Sequence, residues 1–319
     1  HLRSTVIGDS LARVLGFLGH NVIRQNHLGD WGTQFGMLIQ NLIELGEDQS
    51  NSMQDLNAFY KEAKKRFDTD ENFAKAARDR VVLLQSKDPE TYALWQKIVE
   101  QSAVYFNEIY KKLGVLLTPD DIKAESFYNN MLSQTVDELV SIDLAETNQG
   151  AKVIFLDGFL DKDGNKVPFI IQKADGGYLY ATTDLAAAKY RIENLNADRV
   201  IYVIDARQSQ HLAMLFAAVN KTNWLENLNK EVKFDHVSFG MVLGEDRKPF
   251  KTRSGETIKL NLLIDEAISK AKSAMSEKKS DLSDDKKLEV AQKLGIGALK
   301  YGDLCTDRVK DYVFDWDRL

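Results

Sequence analysis

Residues 26–38 are dense in glycine and polar side chains, which is typical of a ligand-binding turn. They read Asn-His-Leu-Gly-Asp-Trp-Gly-Thr-Gln-Phe-Gly-Met-Leu. The pattern predicts a strand before this segment, at 21–25, and a helix within and after it, at 35–45. A glycine-bearing turn between a strand and a helix presents backbone N–H groups to a ligand. An ordinary turn with Trp31 packed in the core is the alternative, and the number of polar residues favours the ligand site.

Tyr180 and Asp184 form a second candidate site. They flank the end of a predicted strand at 177–180 and the first turn of a predicted helix at 183–192. An open α/β sheet binds its ligands at such places. A carboxylate there can bind a guanidinium through paired, charge-assisted hydrogen bonds. Capping of the helix is the alternative role for Asp184.

Gln208, His211 and Glu125 are further candidates for ligand contacts. Gln208 and His211 come after a strand predicted at 199–204, at the start of a helix predicted at 208–219. Packing against a helix face is the alternative for His211. Glu125 begins the sequence Glu-Ser-Phe-Tyr-Asn, where a substrate contact and an exposed helix cap are equally consistent with the residues.

A basic loop after a predicted strand is the candidate phosphate site. The strand is predicted at 232–242, Gly240–Gly244 ends it, and the loop that follows contains Lys251, Arg253 and Ser254. Such a loop suits a polyphosphate, because mobile cations can close on it as charge moves to the leaving group. A solvated turn with scattered lysines is the alternative. Acidic residues near 315–317 lack His or Cys at ligand spacing, so we predict no metal site formed by protein side chains.

Composition describes an ordinary globular protein. The 319 residues are 44% hydrophobic and 28% charged, with a net charge of −6 and one cysteine. The cysteine count excludes a disulfide framework and favours a reducing cytoplasm. No apolar run approaches the roughly twenty residues of a membrane span. Negative net charge argues against a broad nucleic-acid surface, although a local one remains possible. We expect a cytoplasmic monomer with no membrane contact, and a buried Cys305.

The elements that position these residues predict an α/β protein. A helix capped by Ser4 or Thr5 opens the chain. Residues 53–115 are predicted to be almost wholly helical, with Asp88-Pro89 starting one helix. Residues 134–171 turn strand-like, with a hairpin around Asp163-Gly164. The strand–helix alternation between 177 and 242 predicts a parallel sheet with right-handed crossovers. Beyond Ile258 the chain is predicted to be helical to its end.

Several of these segments together resemble the arginyl-tRNA synthetase family of class I synthetases. The match runs through Leu-Arg-Ser-Thr at 2–5, Gly-Asp-Trp-Gly-Thr-Gln-Phe-Gly at 29–36, Tyr-Ala-Thr-Thr-Asp at 180–184 and Asp-x-x-Gln-x-x-His at 205–211. Phe-Lys-Thr-Arg-Ser-Gly at 250–255 resembles a degenerate KMSKS loop. Two departures are Arg207, where the family more often has glycine, and the second lysine of the loop, which is Arg253 or missing.

The resemblance implies a Rossmann-like parallel sheet, the class I catalytic core, split by a mixed and largely helical insertion and followed by a helical C-terminal region. The expected boundaries are 1–45 and 173–262 for the two halves of the catalytic domain. The insertion is expected at 46–172. A helical region at 263–319 would lead to an anticodon-binding domain.

The resemblance also implies a role for each site residue. The residues expected to bind arginine are His1, Asp30, Glu125, Tyr180, Asp184 and Gln208. Those expected to bind ATP are His1, Gly29, Gly32, His211, Gly240, Met241, Val242, Lys251, Arg253 and Ser254. Among these, His1, Lys251 and Arg253 are expected to act in catalysis.

The implied activity is the ATP-dependent attachment of L-arginine to tRNA(Arg) through an arginyl-adenylate, with Mg²⁺ on the phosphates of ATP and no tightly bound cofactor. His1 would be the last residue of a His-x-Gly-His motif. Because this stretch lacks the rest of that motif and the anticodon-binding domain of the family, we expect weak activity from it alone. The resemblance also implies a need for bound tRNA to activate arginine. A non-catalytic, tRNA-binding or regulatory relative is one alternative. Another ATP-using nucleotidyl transferase of the same fold is the second.

Overall fold

The computed structural model describes residues 2–46, 56–226, 231–244, 246–248, 260–277 and 282–316. This part of the chain is an α/β protein that is rich in helices and has small sheets. Its contacts group it into two compact units, residues 24–127 and residues 1–23 with 128–319. The four-part division expected from the sequence remains a prediction. None of the helices in the described ranges is long and apolar enough to cross a membrane.

Unit 24–127 is helical, as predicted. Its helices are α2 (Thr33–Leu45), α3 (Leu56–Thr69), α4 (Glu71–Gln85) and α5 (Pro89–Leu113), followed by a 3₁₀ turn at Pro119–Asp121. The start of α5 is confirmed, because the Asp88 carboxylate accepts a hydrogen bond from the Thr91 N–H and Pro89 occupies the first turn. Gly36 lets α2 lie against α4, since a Cβ there would be 2.3 Å from the Ala77 carbonyl oxygen.

The strand predicted at 21–25 is wrong. Residues 21–25 form no strand in the structure. The residue after them, Asn26, forms an isolated parallel bridge with Ile122. The Asn26 N–H donates to the Asp121 carbonyl at 2.8 Å, and the Lys123 N–H donates to the Asn26 carbonyl at 3.1 Å. The β-branched residues 22–23 raise the strand propensity, but a strand also needs a neighbouring ladder.

The other unit contains the remaining elements. They are α1 (Leu2–Phe17), α6 (Leu132–Ser141), β1 (Glu146–Asn148), β2 (Ala151–Leu160), β3 (Lys166–Gln172), α7 (Tyr180–Glu193), β4 (Arg199–Tyr202), α8 (Ser209–Val219), β5 (Lys233–His236), β6 (Val242–Leu243), α9 (Leu260–Ser276), α10 (Asp284–Leu304) and β7 (Tyr312–Val313). The first three strands form an antiparallel sheet, and β2 and β3 are the predicted hairpin. One apolar core joins this sheet to α6, α7, α8 and β4.

Two local predictions, at α1 and at α6, need correction. Ser4 and Thr5 lie inside α1 rather than before it, and the Ser4 hydroxyl donates to the Val203 carbonyl at 2.8 Å. Residues 132–141 form α6, where a strand-like region was expected. Its apolar residues recur at helical spacing and are buried, so the period of 3.6 prevails over the period of 2.

The strand predicted at 177–180 is a single antiparallel bridge between Gln172 and Tyr178. Helix α7 begins earlier than predicted because the Thr182 hydroxyl accepts a hydrogen bond from the Leu179 N–H and donates one to the Ile171 carbonyl. Tyr180 is therefore the first residue of α7 and not the last residue of a strand.

The strand predicted at 232–242 is divided in two. Strand β5 pairs with β4 in parallel, as predicted, and β6 pairs in parallel with β7. The break falls at Gly240, whose backbone packs directly on 310–311: a Cβ there would be 2.4 Å from the Lys310 carbonyl. The chain leaves one partner at this point and joins another.

The C-terminal part is helical only as far as Leu304. Helices α9 and α10 pack closely because Gly295 has no side chain, and a Cβ there would lie 2.7 Å from the Ala267 backbone. After α10 the described chain forms turns and the two-residue β7, so the expectation of helix to the end is wrong. Cys305 is exposed at the end of α10, which corrects the expectation of a buried thiol.

Candidate functional site

The starts of α7 and α8 bring Tyr180, Asp184 and His211 together. The His211 Nε2 and Asp184 Oδ2 atoms are 2.6 Å apart, and both side chains are mostly buried. The ring of Tyr180 lies with its centroid 4.7 Å from that of His211, and Phe169 on β3 contacts the same imidazole at 5.5 Å. Tyr180 is 62% exposed. The cluster thus offers a fixed carboxylate beside an accessible aromatic ring, which suits a cationic ligand.

Arg191 provides buried positive charge near this cluster, two helical turns along α7 from Asp184. Burial opposes its charge, but the Tyr202 and Tyr128 hydroxyl groups and the Asp184 carboxylate outweigh burial and raise the pKa of Arg191 above its usual value. Its guanidinium carbon lies 5.0 Å from the Tyr202 ring centroid. Arg191 therefore remains charged and helps to fix the electrostatic environment of Asp184.

Gln208 is exposed at the junction between a 3₁₀ turn (Ala206–Gln208) and α8. The turn is held by Asp205, whose carboxylate accepts hydrogen bonds from the Arg207 N–H and guanidinium, each at 2.9 Å. Arg207, which departs from the family pattern, thus pairs with Asp205 and supports the turn. The structure places Gln208 one residue before the helix that carries His211.

In unit 24–127, Asp30 is buried, with 6% of its surface exposed. Its two carboxylate oxygens accept hydrogen bonds from the Ser126 N–H at 2.8 Å and the Ser126 hydroxyl at 2.5 Å. Its carbonyl accepts one from the Trp95 indole at 2.7 Å. Burial raises the pKa of Asp30, although the Ser126 bonds lower it. These contacts hold the turn in place, and an arginine contact at Asp30 remains a prediction.

The neighbouring glycines serve the same turn. Gly32 has a φ of 83° directly before α2, a conformation that favours glycine. Gly29 lies beside Glu125, because a Cβ at position 29 would be 3.8 Å from the Glu125 carboxylate oxygens. Glu125 starts a 3₁₀ helix (Glu125–Met131), and its N–H donates to the Leu28 carbonyl at 2.9 Å. The predicted ligand contacts of Gly29, Gly32 and Glu125 remain predictions.

Gly240 and Met241 have their backbone groups bonded within the chain. The Gly240 N–H donates to the Arg308 carbonyl at 3.0 Å, and the Met241 carbonyl accepts from the Tyr312 N–H at 3.1 Å. The Met241 N–H donates to the Asp311 carboxylate at 2.6 Å. Val242 follows in β6. A carbonyl oxygen can still accept a second hydrogen bond, so an adenine contact here is compatible with these bonds.

Four predicted site residues lie outside the described residues: His1, Lys251, Arg253 and Ser254. The sequence analysis missed three others that the structure brings forward. Ser126 binds Asp30, and Arg3 with Asp303 forms a buried ion pair of 2.9 Å. The one sequence signal for these residues is that Arg3 is a charged residue among apolar ones at the start of a helix, which indicates a buried partner.

Comparison with known protein families identifies the class, which is the catalytic domain of class I aminoacyl-tRNA synthetases. The sequence model of the family described as "tRNA synthetases class I (R), catalytic domain" matches residues 1–316. The chain belongs to this arginyl branch of the class I synthetases.

Individual relatives agree with that family. The chain is 51% identical over 322 residues to an arginine–tRNA ligase of Thermobifida fusca and 52% identical to one of Cellvibrio japonicus, with all of this chain and 55% of each relative covered. The crystal structure of arginyl-tRNA synthetase from Plasmodium falciparum matches with a TM-score of 0.78 and 35% identity, over 99% of this chain and 51% of that one. The chain thus spans about half the length of the relatives it matches.

Proposed function

We propose that this chain carries the amino-acid-activating core of an enzyme that attaches L-arginine to tRNA(Arg) with ATP. The observation that carries the proposal is the fixed Tyr180–Asp184–His211 cluster in a chain of the arginyl family. We also propose that β4 and β5 belong to a Rossmann-like parallel sheet, and that the protein is a cytoplasmic monomer.

Recognition of arginine follows from the chemistry of the cluster. In the proposal the Asp184 carboxylate binds the guanidinium, and the exposed face of Tyr180 packs against it. His211 keeps the carboxylate in place through the contact at 2.6 Å. Gln208, exposed at the start of α8, supplies a further polar contact. Lysine would leave part of this hydrogen-bonding capacity unused, so discrimination against it is large.

Family membership supports ATP as the second substrate in this proposal. The backbone at Gly240, Met241 and Val242 is proposed to contact adenine, and His211 to lie towards the nucleotide. The backbone at Gly29 and Gly32 is proposed to contribute N–H groups, and Asp30 and Glu125 to serve the amino-acid substrate. His1, Lys251, Arg253 and Ser254 are proposed to contact the phosphates. Mg²⁺ enters with ATP as part of the substrate.

The proposed reaction needs no protein nucleophile. A carboxylate oxygen of arginine attacks the α-phosphorus of ATP, the bond to the bridging oxygen of the β-phosphate breaks, and pyrophosphate leaves. The 2′-hydroxyl of the terminal adenosine of tRNA then attacks the arginyl carbonyl and AMP leaves. Positioning and electrostatic stabilisation of the phosphates supply the catalysis.

Two variants test the arginine site. Asp184→Ala and Gln208→Ala are titrated calorimetrically with L-arginine and with α,β-methylene-ATP. The proposal predicts a rise in the dissociation constant for arginine, with ATP binding little changed. Arg80→Lys is the control, because the described partners of the Arg80 guanidinium, Thr91 and Glu90, lie within the helical unit. Equal loss of both ligands in the two site variants, with Arg80→Lys unaffected, would point to another substrate.

A non-catalytic, tRNA-binding or regulatory relative is the second candidate. Arginine-dependent exchange of pyrophosphate into ATP, measured with tRNA present, separates the two. Exchange above background assigns catalysis to this chain, while arginine binding without exchange favours the non-catalytic role.

A further inference from the structure

Arg3 lies where three separate parts of the chain meet. Its side chain is 96% buried by surface area, with 4% exposed. The Nη1 atom donates to the Gly240 carbonyl at 2.8 Å and to the Lys310 carbonyl at 3.2 Å. The Nε atom pairs with the Asp303 carboxylate at 2.9 Å. One guanidinium therefore connects α1, the segment before β6 and the segment that follows α10.

Two aromatic rings contact this guanidinium, and a hydrogen bond from one of them fixes its Asp303 partner. Its carbon lies 5.1 Å from the centroid of Tyr312 and 5.8 Å from that of Phe239. The Tyr312 hydroxyl donates to the same Asp303 oxygen at 3.2 Å. Arginine suits this place because its planar fork donates in several directions and stacks on aromatic rings, whereas lysine is a single point charge.

The segment that Arg3 holds is the one proposed to contact adenine. Gly240 has no room for a side chain against 310–311, and its carbonyl is bonded to Arg3. The position of this backbone is thus set by its contact with 308–314 on one side and by the guanidinium on the other. Removing the guanidinium leaves the carbonyls of Gly240 and Lys310 without this buried donor.

We propose that Arg3 is a positioning residue for ATP, which holds the Gly240–Met241 backbone in the place where it contacts adenine. This inference rests on the proposed function, because it assumes that Gly240–Val242 binds the nucleotide. Arg3 acts through that backbone and touches no substrate. Its effect therefore falls on the binding of adenine-containing ligands and leaves the arginine site at α7 and α8 unchanged.

The test compares three variants of the chain by calorimetry, with α,β-methylene-ATP and L-arginine as separate ligands. Arg3→Lys keeps the charge and the ion pair with Asp303 but loses the fork. Tyr312→Phe weakens the same buried network by removing its hydroxyl, and leaves the bond from Arg3 to Gly240 in place. Arg80→Lys controls for the same substitution at a second arginine, whose side chain is 17% exposed. Thermal unfolding of each variant records the loss of stability.

Arg3→Lys is expected to weaken binding of the ATP analogue about tenfold, because the analogue must then order a backbone that the guanidinium no longer holds. Arginine binding should change less than twofold. Arg3→Lys should weaken the binding of adenosine by the same factor, since the affected contact is to adenine. Tyr312→Phe should lower the melting temperature without weakening ATP-analogue binding relative to arginine binding. The inference is overturned if Arg3→Lys weakens both ligands equally, or leaves ATP binding within twofold. If the unaltered chain binds arginine but no ATP analogue, the proposed nucleotide site itself is wrong.

Discussion

The hydrogen bonds between Ser126 and Asp30 should contribute measurably to stability, and the contribution should depend on pH. Replacing Ser126 by Ala removes the hydroxyl, which donates to the buried carboxylate at 2.5 Å, and leaves the N–H bond at 2.8 Å. A hydrogen bond to a charged group is worth about 1.5–3 kcal/mol. We therefore expect Ser126→Ala to lower the free energy of unfolding by about 2 kcal/mol at pH 7.

The sign of the pH dependence follows from the raised pKa of Asp30. Burial raises this pKa in the folded state above the unfolded value, so protonation of Asp30 favours folding. The stability from this group is present below the unfolded pKa and is lost as pH rises through the folded pKa. Since Ser126 opposes the shift, Ser126→Ala raises the folded pKa further. The variant should therefore lose more stability at pH 7 than at pH 4.

Urea unfolding at both pH values, followed by tryptophan fluorescence, measures this effect. Trp95 reports on the region directly, because its indole donates to the Asp30 carbonyl and its ring contacts Trp31. Ser102→Ala is the control, since that hydroxyl donates within α5, to the Ile98 carbonyl. A loss below about 0.5 kcal/mol at pH 7, or an equal loss at both pH values, would refute the reasoning.

Two further predictions concern packing and charge. Gly295→Ala should destabilise the chain by about 1–3 kcal/mol, because its Cβ would meet the Ala267 backbone. Gly297→Ala, in the same helix, has open space and should be neutral or stabilising by up to about 1 kcal/mol. Thermal unfolding compares the two variants, and equal effects would contradict the close packing of α9 and α10. Asp184→Asn should weaken arginine binding by about tenfold or more, because an amide cannot pair with a guanidinium as a carboxylate does; calorimetry measures this, and unchanged binding would remove Asp184 from the site.

Local chemistry explains which elements could be predicted from the sequence. The start of α5 follows from a capping aspartate and a proline that are adjacent in the chain. The hairpin of β2 and β3 follows from alternating apolar residues around an Asp-Gly pair, with Gly164 at a φ of 84°. These signals lie within a few residues of the structure that they determine.

Other features depend on residues that are far apart in the chain. Asp30 is 96 residues from Ser126, and Arg3 is 237 residues from Gly240. The resemblance pointed to Asp30 as a ligand contact, but no local pattern shows that Ser126 occupies both of its oxygens. The division of the strand predicted at 232–242 has the same origin, since it depends on the approach of Lys310 to Gly240.

The proposed function depends above all on the selection of arginine by the cluster of Tyr180, Asp184 and His211. The most direct measurement is calorimetric titration of L-arginine into the unaltered chain in the presence of α,β-methylene-ATP, with L-lysine titrated under the same conditions. If the cluster recognises the guanidinium, arginine binds saturably and lysine does not bind at the same concentrations. Binding of neither amino acid by a chain shown to be folded, or equal binding of both, would contradict it.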